Sequence, residues 1–249
     1  MQVSNVEYTK LDELTLLSGN DIPFPQAQLI IHVPTLKEIG YIGEENFHIG
    51  CHFIVFDKNN LSEVDKVNLG NMSNFDIFMS VMNSHEKTVH KTNALSVLSL
   101  LFPDYEIKFE KDKMLLQKEN FSSIISEQNY EEFKYILNQI FCLKVEEKDN
   151  YNPADALAAK IAEKIKKGKE KVAKSKGESI KKLNIYSRYI SILGTGNNLI
   201  DYLNYTIYQL KDQFDRFQLK ENNDIYIKAK LAGAQNMEEV DNWMEDIHP

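Results

Sequence analysis

Only two of the 249 residues are cysteine, six are proline, ten are glycine and one is tryptophan. Cys51 and Cys142 are far apart and neither sits in a CxxC pair. Two such residues make neither a disulfide framework nor a cysteine zinc site. Both lie among apolar neighbours, as small hydrophobes do, and fit a reducing compartment. So few prolines and glycines exclude a collagen-like or loop-dominated chain. No apolar run approaches the ~20 residues that span a bilayer. The opening MQVSNVEYTKLDEL carries neither the basic patch nor the apolar run of a signal peptide. The expectation is a soluble, intracellular protein without a membrane partner.

Positive charge is also short. The net charge is −8, and a general nucleic-acid binder needs concentrated positive charge for the phosphate backbone. The balance is uneven along the chain. Between Lys160 and Lys182 ten lysines face only Glu163, Glu170 and Glu178, a local +7, which leaves −15 for the rest (−8 less +7). Glutamates are interleaved at i,i+4 spacing (Glu163 to Lys167, Glu170 to Lys174) and aromatics are missing. That pattern describes a solvated helix better than a nucleic-acid surface.

Recognisable reaction motifs are equally scarce. Gly194-Thr195-Gly196 follows a helical stretch and has neither the GxxxxGK[ST] nor the GxGxxG pattern, so it reads as a helix-ending loop. His48 and His52 have a metal-ligand spacing, but Ile49 stands where the zincin motif requires glutamate. His85 and His90 lie among polar residues and read as surface. Cys51 beside His52 is no dyad, because adjacent side chains diverge on a helix or strand. Two SxxK matches, at Ser84 and Ser179, come without the partner motifs of a serine acyl-enzyme. These observations predict no catalytic residue, no cofactor and no metal.

What the chain does contain is helix and core. Its hydrophobic fraction of 43% and charged fraction of 27% are those of a folded globular protein. Gln28 to Val33 reads as a short buried strand ended by Pro34. Thr35 and Glu38 have capping-box spacing and predict a helix broken by Gly40 and Gly43. Glu44 to Phe56 reads as a helix, or as a helix running into a strand. Helices follow after Ser73 and over Asn93 to Leu101, stopped by Pro103. Tyr105, Ile107 and Phe109 alternate with charges, EKDK turns, and Met114 to Leu116 returns, which predicts a small hairpin. Asn129 with Glu132 reads as the cap of a helix carrying Phe133, Ile136, Leu137, Ile140 and Phe141.

Val145 to Tyr151 is the best boundary, polar and closed by Asn152-Pro153. The division is residues 1–147 as an α+β domain, 148–178 as a lysine-rich helix or linker, and 179–249 as a C-terminal helical domain. The fold class is therefore mainly α, with an N-terminal α+β domain containing a small hairpin.

The last stretch has the sharpest punctuation. Thr206 with Gln209 forms a capping-box spacing, and Ile207, Leu210, Phe214 and Phe217 fall on one side of the helix that follows. Gly233 stands where a helix ends in the left-handed conformation. Asn236 with Glu239 opens a second, short amphipathic helix carrying Val240, Trp243, Met244 and Ile247. Trp and Met at such positions suit helix-in-groove recognition.

The segment YQLKDQFDRFQLKENNDIYIKAKLAGA, followed by DNWMEDIH, resembles the C-terminal portion of tail assembly chaperones and related tail-morphogenesis proteins of long-tailed phages of Gram-positive bacteria. PTLKEIGYIGEENF looks like the opening of phage proteins encoded beside tail genes. The resemblance implies a non-enzymatic role in the host cytoplasm: holding the long, aggregation-prone tape-measure protein soluble and recruiting tail-tube subunits. The contact residues expected on this reading are Phe214, Phe217, Trp243, Met244 and Ile247. Two rivals are a structural component retained in the tail or baseplate, and a nucleic-acid binder using Lys160 to Lys182.

Overall fold

A computed structural model describes Tyr8 and residues 10–60, 68–143, 185–194 and 198–234. Helices dominate. In chain order they are α1 (Glu13–Ser18), α2 (Leu36–Ile42), α3 (Glu44–Ile54), α4 (Asn74–Asn83), α5 (Val89–Leu101), α6 (Glu127–Ile140), α7 (Ile185–Leu193), α8 (Leu199–Leu203) and α9 (Ile207–Leu231). Two small antiparallel sheets accompany them. One pairs β1 (Ile22–Phe24) with β2 (Leu29–Ile31), and the other is a three-stranded meander of β3 (Glu106–Glu110), β4 (Lys113–Lys118) and β5 (Phe121–Ile125). The protein is mainly α, with both sheets in its N-terminal part.

Local chemistry accounts for the helix starts. Thr35 Oγ1 accepts the Glu38 N–H at 3.3 Å while the Glu38 carboxylate takes the Thr35 N–H at 2.7 Å, a complete capping box. Ser73 and Asp76 repeat it at α4. Gly43, at φ +84°, separates α2 from α3, whereas Gly40 is carried inside α2. The stretch from Glu44 is helix alone up to Ile54 and does not turn into a strand.

Other details differ from the sequence reading. The helix read from Asn93 starts earlier, at Val89, capped by Thr88. The helix expected to be capped by Asn129 and Glu132 begins three residues earlier, because Asn129 instead serves Ser126: its side-chain oxygen accepts the Ser126 N–H at 2.9 Å. The predicted two-stranded hairpin has a third strand, β5, in register from Met114 opposite Ile125 to Lys118 opposite Phe121. The QLIIHV strand has a partner, β1, that Pro23 and Pro25 conceal from a propensity reading.

The core sits between the sheets and helices α3, α5 and α6. Phe24, Phe47, Phe78, Phe102, Tyr130 and Phe133 are its largest fully buried side chains. Rings meet along it: Phe24 on Phe133 at 6.1 Å, Phe102 on Phe133 at 6.0 Å, and Phe78 on Tyr130 at 5.3 Å. The Tyr130 hydroxyl donates to Ile54 O at 2.6 Å, so this buried polar tip is satisfied. Helices α3 and α5 approach closely because residue 50 is glycine. A Cβ there would stand 2.5 Å from Asn93 O and 2.7 Å from Val97 Cγ2.

The C-terminal helices pack into the same core, contributing Tyr202, Ile207, Tyr208 and Leu210. No helix among the described residues is long and apolar enough to cross a membrane.

Candidate interaction surface

Helix α9 is the longest described element, 25 residues, and its two halves have different surroundings. The proximal half begins with the predicted box: Thr206 Oγ1 accepts the Gln209 N–H at 3.3 Å, and Gln209 Oε1 accepts the Thr206 N–H at 2.8 Å. Gln209 Nε2 then donates to Leu17 O at 2.7 Å, which fastens the helix start to the end of α1. Ile207, Tyr208, Leu210 and Phe214 are buried. Asp212 is buried as well, and its carboxylate is held by Arg216 Nε at 3.2 Å. Arg216 reaches on with Nη2 to Glu13 Oε1 at 2.7 Å. The guanidinium thus staples α1 to α9 through two carboxylates.

Phe214 is covered rather than presented. Its ring stacks on Tyr189 of α7, with centroids 3.9 Å apart and planes 16° from parallel. Phe217, one turn further along, is 37% exposed. Beyond it three apolar residues of the distal half stay open to solvent, Ile225 at 60%, Ile227 at 47% and Leu231 at 83%, while Leu219 and Tyr226 are half-buried. At 100° per residue, Ile225 and Ile227 lie about 80° to either side of Phe217, and Leu231 lies between Ile227 and Phe217. The four residues form one broad stripe about 20 Å long, at 1.5 Å per residue. Lys230 lies over the ring of Tyr226 at 4.5 Å on the same stretch. The helix closes at Ala232, and Gly233 follows at φ +89°.

This arm is held on the N-terminal elements by backbone bonds. The Leu36 N–H donates to Tyr205 O at 2.8 Å, and Thr35 forms an antiparallel bridge with Thr206. The N-caps of α2 and α9 are therefore direct neighbours. At α7, Glu44 Oε1 accepts the N–H of Ile185 at 2.8 Å and of Tyr186 at 3.2 Å. A carboxylate at a helix N-terminus is favourably placed against its dipole.

The same contacts bear on the histidine pair. His48 and His52 do share a face of α3, with ring centroids 6.3 Å apart, and Glu44 precedes them at 3.7 Å from His48 Nε2. Glu44 is engaged by α7, and Tyr186 packs on the His48 ring at 5.2 Å. Among the described residues no group of three or more His, Cys, Asp or Glu side chains is arranged to hold a metal ion. Burial and the neighbouring His48 lower the pKa of His52. Burial pushes the Cys51 thiol well up and that of Cys142 to about 12, so both are protonated at neutral pH.

A cleft of about 370 Å³ lies beside α6, lined among others by His52, Asp57, Lys134, Tyr135 and Asn138. Lys134 is buried and bound by both oxygens of Glu131, at 3.1 and 2.9 Å. Its charged lining is Asp57 and Glu131 against Lys134, and Lys134 is taken up by Glu131.

Of the five contact residues expected from sequence, Phe214 is in the α7–α9 packing and Phe217 is on the surface. Trp243, Met244 and Ile247 lie outside the described residues, as does the Lys160–Lys182 segment. Ile225, Ile227 and Leu231 were not singled out by the sequence. Their signal was present in IYIKAKL, an apolar cluster after five polar residues (Lys220 to Asp224), but nothing local says that no other helix covers it.

The comparisons with known proteins touch the same region. Residues 174–248 match the family model described as the YomV second domain. That similarity points to a phage-associated protein and covers the C-terminal part alone. No curated protein and no solved structure matches the chain.

Proposed function

We propose that this protein is a phage tail assembly chaperone. Its distal α9 stripe binds amphipathic helices of the tape-measure protein, keeps them soluble and aids tail-tube assembly. The observation that carries the reading is the exposed row Phe217, Ile225, Ile227 and Leu231 on a helix whose other end is anchored in the core. A holdase needs such an apolar strip to cover a client helix, and like charge to keep the complex dispersed. The net charge of −8 supplies the second. Support also comes from the resemblance of the C-terminal segment to tail-morphogenesis proteins, and from the match to the YomV second domain. On this reading Trp243, Met244 and Ile247 extend the apolar contact set, and the site of action is the host cytoplasm.

The test is co-expression with the tape-measure protein of the same phage. The chaperone reading expects the client to move from the insoluble to the soluble fraction only when this chain is present. Client solubility that is the same with and without it would sink the proposal. Purified particles should not contain the chain; its presence there at stoichiometric levels would favour the structural-component reading.

A further inference from the structure

His32 lies at the end of β2, and its imidazole is gripped from both sides. Nδ1 is 2.8 Å from Asp21 Oδ1, and Nε2 is 3.2 Å from Glu38 Oε1. A neutral imidazole has one N–H and one lone pair, so it can donate to only one of two carboxylates. Both contacts are hydrogen bonds only when the ring is the cation.

Each carboxylate is also part of the local backbone. Asp21 Oδ1 accepts the Val33 N–H at 3.2 Å, and Glu38 Oε2 accepts the N–H and the hydroxyl of Thr35, both at 2.7 Å. Thr35 is the residue bridged to Thr206, next to the bond from Leu36 N–H to Tyr205 O. The chain of contacts therefore runs Asp21, His32, Glu38, Thr35, Thr206, and it ends on the cap of α9. We propose that Asp21, His32 and Glu38 form a pH-sensitive latch on the docking of α9: a protonated His32 holds the α2 cap in place, and loss of the proton loosens the junction with Tyr205 and Thr206.

The charged groups facing His32 are Asp21 from the start of β1, Glu38 from α2, and Asp104 from the loop after α5. Asp104 is paired with Lys118 at 2.8 Å. Burial works against the charge on His32, but the hydrogen bonds and charges of Asp21 and Glu38 outweigh it and leave the pKa above the ordinary 6.5. Burial likewise opposes the charge on Glu38, while the bonds from Thr35 and His32 hold its pKa below the usual 4.5. The signs follow. The His32 contribution is complete below pH 6.5 and is lost as pH rises through the folded value. The Glu38 contribution is present above pH 4.5 and is lost as pH falls through its folded value. The latch is closed between those limits.

Hydrogen–deuterium exchange on the full chain tests this, with rates corrected for intrinsic exchange. Between about pH 6 and pH 9, protection of residues 205–214 should fall by threefold or more while that of Val89–Leu101 in α5 holds steady. His32→Gln should remove the pH dependence of 205–214. Parallel loss in both segments, or no change at 205–214, would overturn the latch. Should His32→Gln fail to fold, the wild-type His32 ring is titrated by NMR. A midpoint above 6.5 that drops in Asp21→Asn supports the proposal; a midpoint at or below 6.5 refutes it.

Discussion

The proximal and distal halves of α9 are one helix with two environments. Both are built from similar residues, with Leu, Ile, Phe, Lys and Gln in each, so helix propensity does not separate them. What separates them is cover. Up to Phe214 the apolar face meets α7, α1 and the core, and its one buried carboxylate is paired with Arg216. From Phe217 onward, equally apolar Phe217, Ile225, Ile227 and Leu231 face solvent. An isolated helix of that length is marginal in water because its first turn is costly to nucleate. Growth from the packed half avoids that cost. The lesson is that a core can hold out a greasy helical rod it does not itself bury.

The sharpest way to break this comparison is one substitution made twice. Leu210 is fully buried, and Leu210→Ala should destabilise by about 2–5 kcal/mol from lost transfer energy and the cavity left behind. Leu231→Ala, on the same helix but 83% exposed, should stay within about 0.5 kcal/mol. Denaturant midpoints measure both, and similar losses at the two sites would erase the distinction. A smaller effect tests the anchor. Thr206→Ala removes the side-chain half of the capping box and should cost about 1 kcal/mol, read in the same experiment. No loss there would mean that the α2–α9 junction is held by its backbone bonds alone. The smallest effect concerns pH: with His32 deprotonated, stability should decline gently above neutrality and flatten in His32→Gln. A wild-type stability that rises from pH 7 to 9 would contradict the sign.

How much of this the sequence foretold depends on the range of the interaction. Capping boxes at Thr35 and Thr206 are spelled out within four residues, and the structure has both; at Ser73 the sequence marked only a helix start, and the box with Asp76 is seen in the structure. The Asn129 cap was misplaced because Ser126 offers an equally valid N-cap three residues earlier, and the pattern alone cannot rank them. Strand β1 was missed because its pairing partner supplies the reason for it, while its own prolines argue against it. The interaction surface was half legible. Phe214 and Phe217 share a helix side, so periodicity treats them alike. Only the position of Tyr189, brought in from α7, decides that Phe214 is covered and Phe217 is not. The bridge between Thr35 and Thr206 joins residues far apart in the chain and leaves no local trace.

The most direct test of the central claim is a variant with Phe217, Ile225, Ile227 and Leu231 all changed to serine, assayed for retention of the tape-measure protein after co-expression. The account predicts a soluble, folded protein whose residues 205–214 keep their exchange protection but which no longer holds the client. Undiminished client retention by that folded variant would contradict it.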